Sequence, residues 1–408
     1  MCIPQLALLE TGTGMANPAL APKPIQRLLS LDVLRGVTIA FMIMVNNNGG
    51  SGAWGFMEHA PWNGLTPTDL VFPTCVFVVG ASIVYAFQAR LKRGATRTQL
   101  AWHTVQRAAI LFALGVFVNG FPFFELAHLR IYGVLQRIAI CYLVVGLFYL
   151  WDQRVWTKVA ALIFCLVGYW VLLRWVPVPG AGMPGRDIPF MDQTQNLVSW
   201  LDRLLMPHHL YLDWSGPNLH NVRDPEGLLS DLPAFGTALL GMLTAFWLRG
   251  QRAVKTTALG LAAGAITCLA LGWLWSLEFP FNKNMWTSSF VLEAAGWSLT
   301  VLTLSYLVMD VLGWGRGERS KALVYPWLVL GSNAITVYMF SEVVPGLIER
   351  IHFTADGRTT NPLSWISDHL FAQLPTPGLA AFAYSVFTLA YCFIPAWLMY
   401  RKKIFVKV

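Results

Sequence analysis

Apolar runs of about 17 or more residues recur along almost the whole chain, separated by short polar segments. That pattern leaves few folds open. Each run is long enough to cross a bilayer, and only a helix satisfies its own backbone there without a closed barrel. The 408 residues are 56% hydrophobic and 12% charged, with a mean hydropathy of +0.53. A soluble domain carries about 25% charged residues. The sequence therefore reads as an all-α, polytopic transmembrane helical bundle. Ten spans are predicted, near 29–48, 69–90, 104–121, 131–150, 156–175, 230–249, 254–276, 286–310, 325–346 and 379–400. Together they make one transmembrane unit over 27–408, preceded by a disordered segment, 1–26.

The basic residues set the orientation. Of the 29 Lys and Arg, 18 fall on one side, in clusters such as Arg90-Leu91-Lys92-Arg93, Arg249 to Lys255 and Arg401-Lys402-Lys403. Seven fall on the other: Arg130, Arg186, Arg203, Arg223, Lys283, Arg350 and Arg358. The rule that positive loops stay inside puts both termini in the cytoplasm of a cell-membrane protein. The net charge of +8 is spent on these topology signals, so nucleic acid is not an expected partner; membrane lipid is. The front of the chain lacks the basic n-region of a signal peptide, and Met15 is an alternative start. Five of the six cysteines lie inside spans with no CxxC pair, as small buried hydrophobes do.

The extracytoplasmic side carries the longest loop, 176–229. It opens on Val176-Pro177-Val178-Pro179-Gly180 and continues in an amphipathic stretch, Asp192 to Met206. Leu197, Val198, Leu201, Leu204 and Leu205 share one face there, a pattern for a helix lying on the membrane or capping a vestibule.

Three constellations carry chemistry. The first is His59-Ala60-Pro61-Trp62-Asn63-Gly64-Leu65-Thr66-Pro67-Thr68-Asp69, between two apolar segments. Thr66-Pro67-Thr68-Asp69 has the form of a helix start, with Asp69 as the third-position acid. His59 has no such structural excuse, and an imidazole serves as general base or acyl acceptor. Trp62 is either an interfacial anchor or a sugar platform; the same alternatives hold for Trp214 and Trp286. The second comprises Asp32-Val33-Leu34-Arg35-Gly36 opening the first span, Asn46-Asn47-Asn48 closing it, Arg107, and Gln136-Arg137 in the fourth span. A charge in a membrane helix costs about 3 kcal/mol or more. These arginines therefore pair with acids, or they line a cavity for a phosphorylated cofactor. The third is Asp224-Pro225-Glu226-Gly227 entering the sixth span, with Asn284, Ser288 and Glu342 at other extracytoplasmic ends; Asn333 sits within the ninth span as helix-to-helix glue. His208, His209 and His220 lack metal-site spacing, and no metal is expected. No P-loop, dinucleotide fingerprint or serine elbow occurs.

In this order the constellations resemble the heparan-alpha-glucosaminide N-acetyltransferase family and its bacterial relatives. The similar stretches are Leu31 to Gly36, Val45-Asn46, His59 through Pro73, Arg130 to Arg137, Asp224 to Ser230 and Gly331-Ser332-Asn333-Ala334, within about residues 27–400. The resemblance implies a membrane acetyltransferase that takes cytoplasmic acetyl-CoA as co-substrate and delivers the acetyl group to a hexosamine amine across the membrane. It implies His59 as the active-site histidine, Asn46 as its neighbouring asparagine and Asp69 as its acid, and a homodimer. Twenty-six residues are too few for the lumenal N-terminal domain of the lysosomal members, so heparan sulfate is not the expected substrate. Arg35, Arg107, Gln136 and Arg137 are then candidates for the CoA side. Trp62, Asn63, Asp224, Glu226, Asn284 and Glu342 are candidates for the sugar side. Transfer is either direct, with His59 as base, or through an acetyl-imidazole. An aminosugar or oligosaccharide transporter, and a glycan O-acyltransferase, are the competing readings.

Overall fold

A computed structural model describes residues 28–49, 52–212, 222–315, 317–355 and 357–406. Thirteen helices order the described residues: α1 Leu29–Asn46, α2 Val71–Lys92, α3 Arg97–Gly120, α4 Val134–Trp151, α5 Val155–Trp175, α6 Leu197–Leu205, α7 Asp231–Arg249, α8 Val254–Ser276, α9 Ser288–Ser305, α10 Glu318–Ser332, α11 Ala334–Ile348, α12 Pro362–Ile366 and α13 Pro377–Arg401. A two-stranded antiparallel hairpin, β1 Phe353–Ala355 and β2 Arg358–Thr360, lies between α11 and α12. Among the described residues nine helices are long and apolar enough to cross a membrane. α10 and α11 meet the same length and composition test only as a pair, bent by 75°. The predicted polytopic bundle is therefore present. The expectations for 1–26, Met15, Trp214 and His220 lie outside the described residues.

Two spans differ most from those predicted. α3 begins seven residues before the predicted start, because Thr96 accepts from Gln99 N at 3.2 Å while Gln99 Oε1 takes Thr96 N at 3.0 Å. This reciprocal cap starts a polar first turn that an apolar window passes over. The predicted span 325–346 is not straight. It breaks at Asn333, whose amide donates to Ile404 O at 3.0 Å and accepts from Val406 N at 2.9 Å. Asn333 thus ties the chain's last described residues to the break, rather than gluing two spans.

Burial separates centre from rim. α2 and α7 are the most enclosed, at 67% of a span-length window; α3, α5, α8 and α13 are only 22–28% buried. The rim helices turn Trp102, Trp156, Trp175 and Trp273 outward near their ends, where indole rings meet the membrane interface. α1 and α10 touch backbone to backbone: a Cβ on Gly36 would fall 1.8 Å from Trp327 O. Only glycine allows that approach.

Helix alternation gives the bundle two ends. One holds Leu29, Lys92, Arg97, Arg249 and Arg401, and is called the basic end below. The other holds Asn46, Val71, Val134, Asp231 and Ser288. The long loop belongs to this second end. There α6 turns Val198, Ser199 and Asp202 inward while Leu204 and Leu205 stay exposed. The expected leucine stripe is thus split between two faces.

Candidate active site

The His59 segment is held by one buried carboxylate. Asp69 sits in a single 3-10 turn, Pro67–Leu70, leading into α2. Its Oδ2 accepts from Thr66 N at 3.0 Å and Ala60 N at 3.1 Å. Its Oδ1 lies 2.7 Å from His59 Nδ1. The Asp69 side chain is 1% exposed and that of His59 48%. A carboxylate only accepts, so a neutral ring carries its proton on Nδ1 and keeps a lone pair on the outward Nε2. The cap and the orienting acid are thus one residue.

A second loop, 277–287, closes over the first. Gly64, with φ +131°, donates its N–H to Phe281 O at 2.9 Å; few side chains tolerate that backbone. Asn282 Nδ2 donates to Asn63 Oδ1 at 3.1 Å, while its own Oδ1 takes Met285 N at 2.9 Å. Behind them stands Trp286, fully buried at φ +52°, donating to Thr237 Oγ1 at 3.1 Å and packed edge-on to Phe72 and Phe290. A bulky residue in the left-handed region is a strained position that its surroundings must enforce. The product of this clasp is the placement of Lys283. Its Nζ lies 3.0 Å from His59 Nε2 and 3.3 Å from Nδ1. Burial outweighs the carboxylates of Glu226 and Asp69 and holds the Lys283 ammonium below its ordinary pKa.

Beside this pair is an ionic cluster. Arg130 donates Nε and Nη2 to Asp224 at 2.8 and 2.6 Å, and Nη2 to Glu226 at 2.5 Å. Burial alone would raise the Glu226 carboxyl; the charges of Arg130, Arg137 and Lys283 hold it below the usual carboxylate range. Ile131 N donates to His209 O at 3.1 Å and His209 Nδ1 lies 2.8 Å from Leu129 O, which fixes the Arg130 segment to the long loop. Asn46, the last residue of α1, donates Nδ2 to Glu342 Oε1, midway along α11, at 3.4 Å.

A cavity of about 590 Å³ runs from the basic end toward this cluster. Asp32, Arg35, Arg93 and Val406 line it near the mouth. Arg107 and Tyr142 lie midway, and Met42, Cys75 and Tyr338 line its inner part. Arg35 Nη2 donates to Ser82 Oγ at 2.8 Å. Arg107 stacks 4.7 Å over the Tyr142 ring, and its buried Nε has no hydrogen-bond partner among the described residues. Asn46 and Glu342 lie four residues beyond Met42 and Tyr338, about 6 Å by helical rise.

The candidate residues named from the sequence thus fall into three places. His59, Asp69, Asn63 and the half-buried Asn284 gather at the clasp, with Asp224 and Glu226 in the ionic cluster beside it and Asn46 bonded to Glu342. Arg35 and Arg107 line the cavity. Gln136, Arg137 and Trp62 are engaged elsewhere. Gln136 donates to Ile131 O at 2.9 Å. Arg137 is 0% exposed; it pairs with Asp231 at 3.0 Å, bonds Ser230 Oγ, Pro225 O and Gly227 O, and stacks on Trp286. It belongs to the His59 end, since α4 starts at Val134, and it does not line the cavity. Trp62 gives its N–H to Met191 O at 2.9 Å and one face to Arg223 at 4.5 Å. Sequence reasoning passed over Lys283 and Arg130 as site residues. Signals for both were present: Lys283 is the single lysine among the seven basic residues of that side, and the acid pair Asp224/Glu226 needs a counter-cation.

The family model for the catalytic region of heparan-alpha-glucosaminide N-acetyltransferase matches residues 27–180, the stretch holding Arg35, Asn46, His59, Asp69 and Arg107. The human heparan-alpha-glucosaminide N-acetyltransferase is 30% identical over 94% of this chain and 60% of its own length. The chain is similar to this family along most of its own length. The mouse heparan-alpha-glucosaminide N-acetyltransferase is 28% identical over the same shares. The chain therefore spans about 60% of the length of these relatives. Lys283, Asp224 and Glu342 lie beyond the matched stretch, yet the fold returns them to the His59 end of the bundle.

Proposed function

We propose that this chain is a membrane-embedded acetyltransferase that moves the acetyl group of acetyl-CoA onto the amine of a glucosamine-type sugar. The observation that carries the reading is the pairing of an exposed His59 with a sealed Asp69, backed by a cationic cavity from the opposite end. Acetyl-CoA enters from the basic, cytoplasmic end of a cell-membrane protein. The cavity's 590 Å³ lies within the about 300–1,000 Å³ of small-molecule sites. Arg35, Arg93 and Arg107 suit the anionic part of CoA, and the unpartnered Arg107 Nε is a donor in want of an acceptor. The apolar inner wall suits the pantetheine arm. The thioester then approaches Asn46 and His59 from within.

At the other face the sugar amine meets His59. Nδ1–H is held by Asp69, so Nε2 takes the proton as the amine attacks the thioester carbon. Asn46 donates to the developing oxyanion. Glu226 and Glu342 supply acceptors for an ammonium and hydroxyls. The test is a transfer assay with purified protein, labelled acetyl-CoA, and glucosamine beside its N-blocked analogue. Labelled product from glucosamine alone is expected. Equal labelling of the N-blocked sugar would redirect the reading to O-transfer, and none from either would end it.

A further inference from the structure

His59 Nε2, the lone pair offered to an acceptor amine, already has a primary amine in front of it. Lys283 Nζ stands 3.0 Å away, set there by the Asn282–Asn63 and Phe281–Gly64 bonds. The chemical group and its partner are those a sugar amine would present. Any thioester carbonyl within reach of an amine deprotonated by His59 is also within reach of Lys283. We propose that Lys283 marks the acceptor-amine position and is itself acetylated by the enzyme when no sugar fills the site. The inference rests on the acetyltransferase reading above.

The step balances without a further reactant. The ammonium gives one proton to His59 Nε2 and becomes a nucleophile. Nζ attacks the thioester carbonyl, the C–N bond forms as the C–S bond breaks, and the proton on His59 passes to the leaving sulfur. The amine's second proton goes to water, leaving CoA thiol and an amide on Lys283. The lowered ammonium pKa of Lys283 favours the nucleophilic form. The amide is a dead end. It carries no charge, is bulkier than the amine, and occupies the position the sugar must take. An incoming sugar amine, by contrast, displaces the free Lys283 from Nε2, so acceptor and self-modification compete.

The experiment incubates the full-length protein with acetyl-CoA alone, then reads Lys283 by peptide mass spectrometry and the remaining rate with glucosamine. One acetyl mass on Lys283 is expected, with activity lost in proportion, suppressed when glucosamine is present throughout and absent in His59→Ala. Lys283→Arg, which cannot be acetylated, should hold its own starting rate through the same incubation. An unmodified Lys283 in a preparation that acetylates glucosamine overturns this inference alone. So does equal modification in His59→Ala, which makes the reaction non-enzymatic. A preparation that acetylates neither lysine nor sugar overturns the acetyltransferase reading, and this inference with it.

Discussion

Asp69 Oδ1 and His59 Nδ1 meet at 2.7 Å, with the carboxylate sealed and the imidazole open. The carboxylate orients the ring, so that Nε2 faces Lys283 at 3.0 Å, where an acceptor amine would stand. Asp69→Asn should lower kcat by about 10²–10⁴-fold with little change in either KM. Asp69 also receives Thr66 N and Ala60 N, so the variant should lose about 1–3 kcal/mol of stability. Thermal unfolding in detergent separates the two effects. A kcat loss no larger than the loss of folded protein would contradict the orienting role.

The cavity arginines should act on the donor alone. A hydrogen bond to a charged group is worth about 1.5–3 kcal/mol, or roughly 10- to 100-fold in affinity. Arg107→Ala and Arg35→Ala should each raise the acetyl-CoA KM by that order and leave the sugar KM alone. Initial-rate kinetics with each substrate varied will show it, and an effect on the sugar alone would reverse the assignment of the cavity.

Arg137 should matter to stability. Its fully buried pair with Asp231 means that Arg137→Met strands a carboxylate, at about 3–5 kcal/mol. Replacing both partners, as Arg137→Met with Asp231→Leu, should recover much of that loss. Unfolding midpoints of the two variants test it. A double variant no better than the single one would show that the bonds to Ser230, Pro225 and Gly227 dominate.

Asp202 in α6 gives a pH signature. Burial, with the neighbouring acids adding, pushes its carboxyl up to about 7 from 3.8, although Leu228 N donates to it at 3.0 Å. The folded state then binds more protons than the unfolded one between those values. The contribution of Asp202 to stability is full below about pH 4 and is lost as pH rises to about 7. Asp202→Asn should flatten that fall, seen in unfolding midpoints measured from pH 4 to 8. An unchanged slope would locate the titration elsewhere.

Much of this was legible in the sequence, for identifiable reasons. Span count follows from backbone hydrogen bonding in lipid, so apolar length reports it. Thr66-Pro67-Thr68-Asp69 announced its cap, and that cap fixed where the Asp69 carboxylate points. The bend at Asn333 was hidden, because its amide bonds residues some 70 positions away. Lys283 was hidden for a related reason. Its position depends on a clasp between loops more than 200 residues apart, and a lone lysine in a polar turn reads as a topology charge. Arg137 stood open between an ion pair and a cavity lining, because its partner Asp231 lies 94 residues on.

The most direct measurement reconstitutes the protein in liposomes, with labelled acetyl-CoA on the basic side and glucosamine on the His59 side. The account predicts N-acetylglucosamine on the glucosamine side, formed at the expense of acetyl-CoA and absent with His59→Ala. Uptake of unmodified glucosamine without acetyl-CoA, or undiminished transfer in His59→Ala, would contradict it.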